Sequence, residues 1–321
     1  MPWLRTNNGM TGATAPPVDT PPSELATVVA RYRANALGVL LFLLVDDYES
    51  RFLAAYRKLG FDDVLRSHGA VMRHLDGSGA SISELSLRAG ITKQTIGKIV
   101  RQLEGLGYLS VVTSSEDRRA RIVRFSLRGE RLVSASSRIV DDIRKHYRQR
   151  LGERMFIRLN QLLDAITGKL EVQPRSHSSG DAQRFVHFGR LLVELAGDFE
   201  KRLRAQLSAA SARRISRPGL TQLYHLGEGG VTISELAEAQ PLTVQAVSLT
   251  VRQLAAQSLV SVRECSGDSR AKRITLGAPG IQFMGELTEA CARVRGYYAQ
   301  LLGADELGEL EGIIRKLQLA L

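Results

Sequence analysis

Gln94, Gly97, Lys98 and Arg101 recur at i, i+3, i+4 and i+7 within Thr92–Leu103, the spacing of one face of a helix. Ile96, Ile99, Val100 and Leu103 share that spacing and form an apolar stripe that must pack inward. The polar set has the chemistry of base reading. Lysine donates to guanine O6 and N7, glutamine pairs with adenine, and threonine meets base or phosphate. Lys93 and Thr95 extend the set, and Gly97 removes a side chain where such a helix would approach closely. Thr92 stands at the helix start, where its hydroxyl and the free N–H groups can hold a phosphate. The bland alternative is a solvated polar face.

The residues after Leu103 argue against that alternative. Tyr108–Thr113 and Arg121–Leu127 have the residue types and alternation of two strands. The tip between them carries Arg118 and Arg119, with Arg121 just beyond. Arginine there suits a narrow minor groove, where negative potential is concentrated. Asp117 is a poor phosphate contact, and its expected role is to orient the arginine or close the turn. Ser81 precedes Ile82-Ser83-Glu84-Leu85 as the cap of a short helix. Two short helices and an arginine-tipped ribbon make the pattern of a winged helix-turn-helix.

The flanking segments must position this head. Residues 1–22, with five prolines, read as a disordered tail. A helix is expected from Ser23 to about Leu59 and a second from Phe61 to Leu75. Gly107 stops the helix that begins at Thr92. Helical periodicity returns at Arg128 and runs to about Leu170, with a break at Leu151-Gly152. The polar segment 172–181 reads as a linker.

The chain then repeats itself at a constant offset of 151 residues. Ile82-Ser83-Glu84-Leu85 returns as Ile233-Ser234-Glu235-Leu236, and Val100-Arg101-Gln102-Leu103 as Val251-Arg252-Gln253-Leu254. Asp117-x-Arg119-Ala120 returns as Asp268-x-Arg270-Ala271, and Gly129 as Gly280. Roughly a quarter of positions from 37 to 170 are identical without a gap, as expected of a whole-domain duplication rather than a solenoid. The expected domains are 23–171 and 182–321.

The motif Asp-x-Arg-x-x-x-(Val/Ile)-x-(apolar)-x-x-x-Gly, met at Asp117–Gly129 and again at Asp268–Gly280, resembles the MarR-family transcriptional regulators. The resemblance implies a mainly α fold with two winged units and long flanking helices, closed into an intramolecular pseudo-dimer. It implies a sequence-specific regulator of double-stranded DNA with a pseudo-palindromic operator, recognition helices in the major groove and wings in the minor groove. The second head would use Thr243, Gln245, Ser248, Arg252, Arg270 and Lys272, with Asp268 in the orienting role. It has diverged: Lys93 and Lys98 correspond to Val244 and Leu249. Leu249 could meet a thymine methyl or face a protein, so a second reading keeps DNA binding in the first repeat and gives the second to a protein or effector. By family analogy a small-molecule effector would sit in a cleft lined by Tyr48, Arg51, His68 and His74.

Composition agrees. With 44 Lys+Arg against 33 Asp+Glu, the net charge is +11 and the pI near 10.0, which favours a polyanion as partner. Residues 1–181 carry +8 (27 basic, 19 acidic) and residues 182–321 carry +3 (17 and 14), so the first half should grip harder. No P-loop, GxGxxG, HExxH or CxxC occurs, the histidines lack metal-ligand spacing, and neither enzyme, cofactor nor metal is expected. Cys265 and Cys291 suggest no disulfide framework. The apolar run Ala36–Val45 is too short to span a bilayer, which takes about 20 residues. Without a signal pattern, the expected location is the cytoplasm, as a monomeric pseudo-dimer or a further homodimer.

Overall fold

The protein is described by a computed structural model over residues 24–113, 121–170, 187–227, 229–240, 242–265 and 268–320. The expected tail, the linker and the first wing tip lie outside these residues. The fold is mainly helical.

Helix α1 (Glu24–Ala34) and α2 (Leu37–Lys58) replace the single helix expected there, and they meet at a bend of 63°. The cause is Asn35. Its side-chain Nδ2 donates to the Arg31 carbonyl at 3.0 Å, while its own N–H turns to Tyr32 O at 3.1 Å, so the i→i−4 ladder is broken locally. The helix expected at Phe61–Leu75 is likewise shorter, a 3₁₀ turn Arg66–His68 running into α3 (Gly69–Met72). Leu65 is extended, and its N–H donates to His68 Nδ1 at 3.1 Å, which sets the start at Arg66.

Next come α4 (Ile82–Ala89), α5 (Lys93–Gly105), the strands β1 (Leu109–Thr113) and β2 (Arg121–Phe125), α6 (Leu127–Leu151) and α7 (Glu153–Lys169). After α8 (His187–Gln206), α9 (Ala209–Arg214) and α10 (Arg217–His225) come β3 (Val231–Thr232), α11 (Ile233–Glu238), α12 (Val244–Ala256), β4 (Val260–Cys265), β5 (Asp268–Leu276), α13 (Ala278–Leu302) and α14 (Ala304–Ala320). Helices α12, α13 and α14 begin and end 151 residues after α5, α6 and α7.

Two compact units gather these elements. One comprises the described residues up to Asp47, Arg150–Lys169 and those from Leu191 onward. Here the run expected to be a buried helix is core: Leu37, Leu40, Leu41 and Leu44 are almost fully buried. Phe42 packs edge-on against Phe199, with ring centroids 6.1 Å apart. Tyr32 donates to Leu220 O at 3.3 Å, and Arg33 donates to Tyr224 O and Leu226 O, which binds α1 to α10. Strands β3, β5 and β4 form an antiparallel sheet in that order.

The other unit comprises Tyr48–Gln149, Leu170 and the residues through Arg190, within the described ranges. Strands β1 and β2 pair antiparallel from Leu109↔Phe125 to Thr113↔Arg121, and Ala80 bridges Val123 as a rudimentary third strand. A Cβ on Gly129 would lie 2.1 Å from Tyr108 O, so α6 passes against the start of β1 only because that residue is glycine. Among the described residues, no single helix is long and apolar enough to cross a membrane.

Candidate nucleic-acid interface

Helix α4 is fixed by a capping box. Ser81 Oγ accepts from Glu84 N at 3.2 Å, and Ser81 N donates to Glu84 Oε2 at 2.7 Å. These bonds hold the Glu84 carboxyl below its ordinary range. Leu85 is buried beneath. The second head uses the same device: Glu235 N donates to Thr232 Oγ1 at 3.2 Å and Thr232 N to Glu235 Oε2 at 2.6 Å, with Leu236 buried. The repeated Ile-Ser-Glu-Leu is therefore a cap plus a core anchor.

Helix α5 divides as its periodicity predicts. Ile96, Ile99, Val100 and Leu103 are buried, while Thr92, Lys93, Gln94, Thr95, Lys98 and Arg101 are exposed. Gly97 differs from its neighbours on that face. It is buried, and a Cβ there would meet Arg101 Nη1 at 3.6 Å and Ile82 Cδ1 at 3.9 Å, so it faces α4. The Thr92 hydroxyl is engaged as the N-cap, accepting from Thr95 N at 3.2 Å.

The far end of α5 is held by residues that sequence reading missed. Arg128 donates to Leu106 O at 2.7 Å and Asp63 Oδ2 at 2.9 Å, and its guanidinium lies 4.4 Å from the Tyr108 ring centroid. Tyr108 donates to Asp63 Oδ1. These contacts tie α5 to α6. The sequence signal was faint, a lone Arg beside Gly129.

At the ribbon, Arg121 and Arg124 are exposed on β2. Asp117, Arg118 and Arg119 lie outside the described residues. In the second head, Thr243 Oγ1 caps α12 by accepting from Ala246 N at 3.2 Å. Gln245 and Arg252 are exposed, Ser248 is half-buried, and Arg252 Nε reaches Ser248 O at 3.3 Å. Lys272 is exposed on β5; Asp268 and Arg270 share that strand, and their side chains are outside the described set. Val244 and Leu249 are 52% and 54% exposed.

The residues expected to line an effector cleft differ in burial and in their neighbours. Tyr48 is buried, and its ring occupies the space that a Cβ on Gly189 would need. His68 is buried against Leu65, and burial pushes its pKa down despite nearby Asp63. Arg51 is half-buried on α2. His74 is half-buried, its pKa lowered to about 4 by burial and then by Arg73, Arg88 and Arg190. Arg73 lies near both Tyr48 and His74 and pairs with Glu49 at 3.3 Å. Burial pushes the Cys291 thiol up to about 12, which makes it a core side chain rather than a thiolate. Among the described residues, no group of three His, Cys, Asp or Glu could hold a metal ion.

No curated protein matches the chain. Among solved structures, a transcriptional regulator from Thermotoga maritima is similar at 19% identity and a TM-score of 0.30, over 39% of this chain and 84% of that one. Residues 62–120, from the turn before α3 to the expected wing tip, match the model of the MarR family.

Proposed function

We propose that this protein is a sequence-specific DNA-binding transcription regulator whose two winged heads arose by tandem duplication and work as a covalent pseudo-dimer. The carrying observation is α5, where a buried apolar stripe leaves Lys93, Gln94, Lys98 and Arg101 exposed in a unit whose strand β2 also exposes Arg121 and Arg124. The MarR-family match over residues 62–120 supports the same reading. Arg118, Arg119 and Arg121 then serve the minor groove, with Asp117 orienting them.

Reciprocal packing supports the pseudo-dimer. A Cβ on Gly38 would stand 2.0 Å from the Phe199 ring, and one on Gly189 would stand 2.2 Å from the Tyr48 ring. Gly189 and Phe199 are the positions 151 residues after Gly38 and Tyr48. Residue i meets j of the other repeat as j meets i, the pattern of an isologous two-fold interface. Arg158 meets Glu309, its own equivalent 151 residues on, at 2.8 Å. In a true homodimer like charges would meet there. Fusion lets the pair diverge, and it makes the second half-site engagement intramolecular.

The test begins with duplexes selected by the full chain from a random pool, followed by anisotropy at fixed salt. Lys98→Ala combined with Arg119→Ala should weaken binding far more than Arg270→Ala. Equal losses would remove the asymmetry between heads, and no selected sequence would remove the regulator reading altogether.

A further inference from the structure

The second head carries an unexplained surface. Helix α12 exposes Val244, Gln245, Leu249 and Arg252 along the face where α5 exposes Lys93, Gln94, Lys98 and Arg101. What sets Val244 and Leu249 apart from other exposed apolar side chains is their place: each stands where α5 carries an exposed lysine. Two residues make a patch far smaller than the roughly 800 Å² per side of an ordinary protein interface. From Ala239 to Arg263 no acidic residue occurs, and Arg252, Arg263 and Lys272 are all exposed. Glu264 stands across the ribbon from Lys272, so the acid-free surface is that of α12 itself. A small apolar centre on a helix that carries Arg252 and no carboxylate fits a groove whose walls are phosphate and whose floor offers a methyl group.

We infer that α12 reads an A·T-rich half-site through thymine 5-methyl groups, with Leu249 and Val244 as the specificity-determining residues, so that the operator is asymmetric. The inference rests on the proposed DNA-binding reading. Within the major groove, the thymine methyl is the apolar feature of the base edges; the other groups are donors or acceptors. Leucine laid on guanine or cytosine would strip water from those polar groups and return no hydrogen bond. Gln245, exposed between the two, has the amide that pairs with adenine N6 and N7. Adenine read by Gln245 and thymine read by Leu249 describe the same kind of base pair. The first head, with Lys93 and Lys98, prefers guanine instead. The charges agree: residues 81–129 hold 9 basic and 4 acidic side chains, and residues 232–280 hold 5 and 4. The first head thus supplies more of the phosphate grip, leaving the second to depend on base contacts.

The test starts from the wild-type chain and one chemical change in the DNA. In the selected operator, thymines are replaced by deoxyuridine one half at a time, which deletes the 5-methyl and nothing else. Loss of one methyl contact should weaken binding about fourfold, the equivalent of ~0.8 kcal/mol for a buried methyl at 1.36 kcal/mol per tenfold. The loss should be confined to one half. Leu249→Ala should bind the thymine and deoxyuridine operators alike, and Leu249→Lys should move that half toward guanine. Both variants change a surface residue, and their folding is checked by circular dichroism. If selection yields no preferred sequence, the DNA-binding reading itself falls. If it yields one, but deoxyuridine is silent in both halves or its effect persists in Leu249→Ala, the regulator reading stands and the thymine inference is overturned. A footprint of one half-site, unaffected by Leu249→Ala, overturns it too and returns that face to a protein partner.

Discussion

At the scale of single residues, two glycines and one serine show how closely the heads are built. Gly129 and Gly280 occupy equivalent positions, and a Cβ would sit 2.1 Å from Tyr108 O in one and 1.9 Å from Leu259 O in the other. Backbone cannot yield as a flexible side chain can. Gly129→Ala should therefore cost on the order of 1–3 kcal/mol, read by denaturant unfolding, and a neutral result would show that α6 can shift away from β1. Gly107 ends α5 with φ +77°, whereas its counterpart Ser258 holds φ +59° without glycine's freedom. Ser258→Gly should stabilise the protein by up to about 1 kcal/mol, because a left-handed non-glycine residue is strained. The repeated motifs already announced the caps and the buried stripe, since both follow from spacing along one helix. The burial of Gly97 was not legible in the same way, because it depends on α4 bringing Ile82 near that side of the helix.

Among elements, α5 and α12 match in length and capping but differ beneath. The first head has Ala70, Val71, Ala89 and Ile99 at positions where the second holds Thr221, Gln222, Gln240 and Thr250, all four of them buried. Thr221 donates to Gln240 Oε1 at 3.2 Å and Gln222 Nε2 to Val247 O at 3.4 Å, but Gln222 Oε1 and Gln240 Nε2 have no hydrogen-bond partner. A buried amide group left unpaired costs roughly 1–3 kcal/mol. Helix α12 should therefore open more readily than α5. Hydrogen exchange followed by mass spectrometry should find the amides of 244–256 less protected than those of 93–105. Gln222→Val with Gln240→Ala, which restores the first head's residues, should raise their protection. Equal protection in the two helices would mean that the polar cluster carries no penalty. Helix–turn–ribbon order was legible along the chain because it is local. The break at Asn35 and the late start at Arg66 were not, because each depends on one side chain outcompeting the backbone ladder.

For the molecule as a whole, the +11 charge and the duplication pattern pointed to a polyanion and a paired architecture, but not to how α1 would be held. Its partners Leu220, Tyr224 and Leu226 lie nearly 200 residues along the chain, and no local pattern encodes a contact of that separation. Packing also half-buries two equivalent histidines, one in each repeat. His74 and His225 are held neutral, with pKa values lowered from 6.5 to about 4 in each case. Burial leads in both, followed by Arg73, Arg88 and Arg190 around His74 and by Arg33 near His225. Between pH 4 and 6.5 the unfolded chain therefore binds more protons than the folded one, so stability rises with pH across that window and is complete above it. Acidification through the window should remove less than ~3 kcal/mol per histidine, because both are half-buried and solvent screens the charge. The lowered carboxyls of Glu84 and Glu200 act below their ordinary 4.5, so the upper part of the window belongs to the histidines. Denaturant unfolding at pH 7 and pH 5 should show the loss in the wild-type chain. His74→Gln with His225→Gln should flatten it, and an unchanged slope in that variant would mean that His68 or another group controls the acid response.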